Sequence, residues 1–139
     1  MAWWFYAILS AFFAALTAIF SKMGVATINS NLATGIRTII ILLLISCIVF
    51  IRGEAKGIES IPKRELFFLI LSGVATGLSW LFYYKALQMG DVSKVASIDK
   101  LSLAITVILA VVFLGEAFSW KLALGATLIV AGTLVMMIK

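Results

Sequence analysis

The chain has 139 residues, of which 64% are hydrophobic and only 12% charged, and it carries a formal net charge of +5. An ordinary soluble domain has about 25% charged residues, so this composition excludes a wetted globular surface and places the chain in a membrane. With no His, one Cys and no paired carboxylates, it also lacks the usual equipment for acid–base catalysis, a disulfide or a metal centre.

Five apolar stretches use up nearly the whole chain: residues 3–20, 32–51, 66–87, 95–114 and 122–138. Each is close to the roughly 20 residues needed to cross a hydrocarbon core of about 30 Å. The first opens on Trp3-Trp4-Phe5-Tyr6, an aromatic cluster suited to the headgroup level and without the basic region of a signal peptide. A short polar connector, Thr27-Ile28-Asn29-Ser30-Asn31, leads into the second. Cys47, in the middle of that span, reads as a small packing residue.

The longest loop, 52–65, carries Arg52, Lys56, Lys63 and Arg64 against Glu54, Glu59 and Glu65. Within it, Ser60-Ile61-Pro62-Lys63 predicts a helix start with Ser60 as N-cap. The third span is expected to end at Gly90 in a left-handed cap, the fourth to run unbroken to Gly115, and Ser119 to cap the fifth. The fold class is therefore all-α integral membrane, with five transmembrane helices in one domain covering residues 1–139.

Helix contacts in lipid rely on small residues, which mark two faces. Gly73 and Gly77 continue by helical spacing into Trp80, Tyr84 and Leu87. Gly125 and Gly132 lie a heptad apart, and with Ala126 and Ala131 they form a candidate strip for a dimer contact.

Orientation normally follows an excess of Lys and Arg on the cytoplasmic side. One side of this chain holds Arg52, Lys56, Lys63, Arg64 and Lys121; the other holds Lys22, Arg37, Lys85, Lys94, Lys100 and Lys139. Discounting Arg37 and Lys100 as embedded leaves five against four. A near tie predicts insertion in both orientations and an antiparallel homodimer, in which two copies recreate the inverted-repeat plan of many transporters.

Charges inside spans are costly, about 2.5–3.5 kcal/mol at a helix centre, so Arg37, Lys85, Asp99 and Lys100 stand out. Asp99 is the one carboxylate well inside a span and the first choice for coupling to a proton or cation. Trp80, Tyr83 and Tyr84 offer rings for a flat or cationic solute. Arg37 and Lys100 would hold Asp99 or meet an anionic solute, whereas Lys22, Lys85 and Lys94 read as snorkelling to headgroups. No cofactor, metal or nucleic acid is expected; the partners are the bilayer, a small organic solute and a second copy. The rival reading is a non-transporting subunit that packs against a larger membrane protein.

The run Phe82-Tyr83-Tyr84-Lys85-Ala86-Leu87-Gln88-Met89-Gly90-Asp91-Val92-Ser93-Lys94-Val95-Ala96 resembles the FYYxALxxGxxSxVA signature of EamA-domain proteins in the drug/metabolite transporter superfamily. Phe113-Leu114-Gly115-Glu116 resembles that family's LGE ending, and Gly125 to Gly132 its GAxLIxxG last helix. Arg37 matches an arginine usual early in the second helix. The resemblance spans essentially the whole chain. It implies one five-helix half of an inverted-repeat fold, working by alternating access in a multi-pass protein of a prokaryotic inner membrane. The first span lacks the acid that small multidrug resistance proteins use for proton coupling, and Leu103 stands about where members often carry a proline.

Overall fold

The computed structural model describes residues 2–138. It is helical throughout, with no strand among the described residues. The helices are α1 (Trp3–Gly24), α2 (Ser30–Ile51), α3 (Lys63–Met89), α4 (Val92–Asp99), α5 (Leu101–Leu114) and α6 (Trp120–Met137), with a 3-10 turn at Glu54–Ser60. Counting α4 and α5 as one crossing, Val92–Leu114, five segments are long and apolar enough to span a bilayer. Helices suit lipid because each satisfies its own backbone. The polar residues inside the spans follow the same rule. Thr34, Thr38, Thr76 and Thr127 each donate a hydroxyl to the carbonyl one turn back, at 2.8 to 2.9 Å.

The helix ends explain several turns in physical terms. Asn29 caps α2, its side-chain oxygen accepting from the amides of Asn31 at 2.8 Å and Leu32 at 3.4 Å. Ser119 caps α6 as expected, accepting from Leu122 N–H at 3.1 Å. Ser60 does not cap α3. Its hydroxyl donates to the Gly57 carbonyl inside the 3-10 turn, and the Pro62 carbonyl accepts the first amide bond of α3. The left-handed glycines are Gly53 (φ 71°) and Gly115 (φ 68°); Gly90, expected to be one, is not. At Gly115 the chain leaves α5 with the amides of Gly115 and Glu116 both reaching back to the Ala110 carbonyl. Only glycine makes that turn without strain, which accounts for the residue before Glu116.

The fourth crossing departs most from expectation, because it is broken rather than continuous. At Lys100 (φ −68°, ψ −12°) the amide bonds the Ser97 carbonyl at 3.1 Å, and Leu103 N–H bonds the Lys100 carbonyl at 3.0 Å. Both are tighter i→i+3 bonds, a 3-10 step between two α-helices. The step lies three residues before Leu103 and needs no proline.

The chain divides into two compact units. Phe20–Gln88 forms one, built on the end of α1, on α2 and on most of α3. Its fully buried side chains are Val25 and Leu87, joined by buried Ser21, Ser30, Ala33, Thr34 and Tyr84. The other unit comprises the chain up to Ile19 and from Met89 onward. There α6 packs against α4 and α5. The covered stripe on α6 is Ala123, Ala126, Val130 and Thr133, and that on α5 is Ala104, Val107, Ala110 and Val111. Small and β-branched residues at these spacings let the two backbones approach.

Candidate functional site

The Phe20–Gln88 unit gathers three of the residues singled out from the sequence. α2 carries Arg37 about two turns in from its first residue, with the long side chain half-buried. α3 presents Trp80 and Tyr84 one turn apart, on the stripe that runs from Gly77 to Leu87. The Arg37 guanidinium carbon lies 4.0 Å from the ring centre of Trp80 and 5.6 Å from that of Tyr84. A cation over the face of a desolvated indole gains about 2 kcal/mol. That offsets only part of the several kcal/mol it costs to take a charge out of water.

Three further contacts hold this cluster. The hydroxyls of Tyr84 and Ser21 share a buried hydrogen bond of 2.7 Å, which ties α3 to the end of α1. One turn on, Lys22 Nζ donates to the Leu87 carbonyl at 2.6 Å. Lys22 thus brings a positive charge to the last turn of α3, where the helix dipole is negative. Gln88 Nε2 donates to the Ile28 carbonyl at 3.0 Å and closes the same end. One polar atom remains unserved. Arg37 Nη1 is buried and has no hydrogen-bond partner among the described residues.

The other candidates are placed differently. Asp99 ends α4, and its carboxylate lies 3.7 Å from Lys100 Nζ, both side chains partly exposed at the 3-10 step. Lys94 pairs with Asp91 at 3.6 Å. Of the three lysines read as snorkelling, Lys22 and Lys94 therefore meet protein acceptors, and Lys85 is exposed. Tyr83 is half-buried beside Tyr84. On α6, Gly125, Gly132 and Ala131 are exposed, whereas Ala126 belongs to the stripe covered within the chain. A Cβ built on Gly125 or Gly132 would meet nothing within 4 Å among the described residues.

Sequence reasoning did not find Ser21 or Thr133. Ser21 is an ordinary polar residue near a helix end, and its tyrosine partner lies two spans away. Thr133 Oγ1 lies 3.1 Å from the Ser97 carbonyl at the broken crossing. A threonine late in an apolar helix was the available signal, but it did not name the acceptor.

Residues 1–138 match the family model described as the EamA-like transporter family. The chain belongs to that family. The EamA chain is also similar to a Sinorhizobium sp. protein named "Uncharacterized transporter in cobO 3'region". The two are 51% identical over 134 residues, which cover 96% of this chain and 95% of that protein. No solved structure matches. The family, the helices and this relative make the chain a multi-pass membrane transporter whose fold fits one EamA half-unit.

Proposed function

We propose that this EamA chain is a homodimeric secondary transporter or exporter of a small organic solute, inserted in both orientations and working by alternating access. The observation that carries this reading is the Arg37 side chain, charged and half-buried within a span, laid on Trp80 with one nitrogen left unpaired. Charges are kept at such depth for pathways and ligands, because packing alone is better served by apolar residues. The proposed pathway is lined within the Phe20–Gln88 unit, with Arg37, Trp80, Tyr83 and Tyr84 toward the solute. Asp99, at the step and paired with Lys100, couples transport to a proton or cation; discontinuities in a spanning helix are where transporters commonly build their ion sites.

Two features support the dimer. A single five-helix unit needs an inverted counterpart to make the two-repeat plan, and the near tie of basic residues permits one. The exposed glycines of α6 offer a face where a second backbone can approach, with Gly125 and Gly132 at its centre and Ala126 and Ala131 at its edges. The bacterial relative supports a prokaryotic inner membrane as the location.

The test is labelling of a cysteine placed after Lys139 in native membranes, with Cys47 changed to Ala. Accessibility from both faces is expected. Accessibility from one face alone would end the dual-orientation model and favour a parallel assembly or a partner chain.

A further inference from the structure

The aromatic faces that would attract a cationic solute are already used by the protein's own cation. Arg37 covers Trp80 at 4.0 Å and stands 5.6 Å from the Tyr84 ring, and the Tyr84 hydroxyl is engaged with Ser21. Three basic groups near the helix ends are engaged as well, Lys22 with the Leu87 carbonyl, Lys94 with Asp91 and Lys100 with Asp99, while Lys85 is exposed. Arg37 differs from them in having a buried nitrogen with no acceptor.

We propose that Arg37 is the receptor for a carboxylate on the transported solute, a reading that rests on the transporter function proposed above. A guanidinium donates planar N–H bonds and never loses its charge, so its complement is an acceptor-only anion. A neutral carbonyl would fill the hydrogen bond and leave the charge uncompensated. A cation would be repelled by Arg37 and would find its ring occupied. Because Nη1 is buried where it stands, the solute reaches it only when the guanidinium shifts from its place 4.0 Å over Trp80. Anion binding therefore disturbs the Arg37–Trp80 stack, and Trp80 reports it.

The experiment uses the full chain in maltoside micelles, which contain no phosphate. Trp3, Trp4 and Trp120 are all exposed and are changed to Phe, leaving Trp80 as the fluorophore. The probes are acetate and benzoate, with benzamide and benzylammonium as the neutral and cationic matches of benzoate. A saturable change of Trp80 emission with the carboxylates alone is expected. It should vanish in Arg37→Gln and weaken about tenfold in Arg37→Lys, which keeps the charge but loses the planar fork. A separate thermal melt checks that both variants are folded, and Trp80→Phe should abolish the fluorescence signal.

A response to benzylammonium, a response surviving in folded Arg37→Gln, or no response to either carboxylate would overturn the proposal. So would saturation by added phosphatidylglycerol with no further effect of benzoate, which would assign Arg37 to a lipid headgroup. Benzoate flux in proteoliposomes separates the two readings. Arg37-dependent binding without flux would leave the anion site standing and sink transport. Flux indifferent to Arg37 would do the reverse.

Discussion

Thr133 Oγ1 sits 3.1 Å from the carbonyl of Ser97 and 3.0 Å from that of Ile129 in its own helix. One hydroxyl proton serves both acceptors, so Thr133 divides a single hydrogen bond between α6 and the broken fourth crossing. The Ser97 carbonyl already receives the Lys100 amide, which makes it the point where the 3-10 step is held. Replacing Thr133 with Val keeps the shape and removes the donor. The expected cost is about 0.6 kcal/mol, the average for hydrogen bonds between membrane helices. Thermal unfolding in micelles reads the cost, and faster amide exchange at Lys100 would locate it at the step.

The Ser21–Tyr84 pair should respond unequally to its two deletions. In Tyr84→Phe, the serine hydroxyl can turn to a carbonyl one turn back in its own helix. In Ser21→Ala, the tyrosine hydroxyl, at the end of a rigid ring, cannot reach a carbonyl of its own helix. The loss should be about 1–3 kcal/mol for Ser21→Ala, the penalty for a stranded buried group, and smaller for Tyr84→Phe. The double variant should recover part of it. A double-mutant cycle of unfolding midpoints measures the difference, and equal losses would show that the tyrosine finds another acceptor.

Gly125 and Gly132 allow dimer contact and chain stability to be separated. A Cβ at either position meets nothing within 4 Å in the chain, and Ala favours a helix by about 1 kcal/mol over Gly. Gly125→Leu and Gly132→Leu should therefore leave the monomer intact, as thermal melts of the micellar protein would show. Crosslinking yield between copies should fall sharply if this strip is the dimer contact. Unchanged crosslinking would move the contact elsewhere.

The near tie of basic residues predicts an easily tilted orientation. Lys63→Ala with Arg64→Ala lowers the loop side to three basic residues against four. The N-terminal side should then face the cytoplasm less often. Lys85→Ala, at an exposed position, should push the other way. The ratio of inside to outside labelling at the appended cysteine measures both shifts.

The spans, the Ser119 cap and the covered positions Trp80, Tyr84 and Leu87 of the stripe read from Gly73 were legible in the sequence because hydrophobic length and helical spacing are local properties; Gly73 itself is exposed, and a Cβ on it or on Gly77 would meet nothing within 4 Å. The break at Lys100 was not, since no Pro or Gly marks it; it depends on a tightened turn and on a threonine from another helix. Ser60 misled because it has the chemistry of a cap, yet its hydroxyl found a nearer carbonyl at Gly57. Arg37, Trp80 and Tyr84 were all visible as candidates, but their stacking was not. Sequence reports which charges enter the membrane; only three-dimensional packing reports that Arg37 spends the aromatic faces and keeps a nitrogen in reserve.

Among the described residues the buried hydrophobic side chains are Ala18, Val25, Ala33, Tyr84 and Leu87, and many large apolar side chains face outward along every span. The Phe20–Gln88 unit is thus stitched rather than cored: its helices are stable by insertion and are joined by a few stacked or hydrogen-bonded side chains. Such a molecule should survive being cut. Two pieces made separately, divided within the Glu54–Ser60 turn, would each insert by its own helices. The Arg37–Trp80 stack and the Ser21–Tyr84 bond would then be among the contacts that bring the pieces back together in the bilayer.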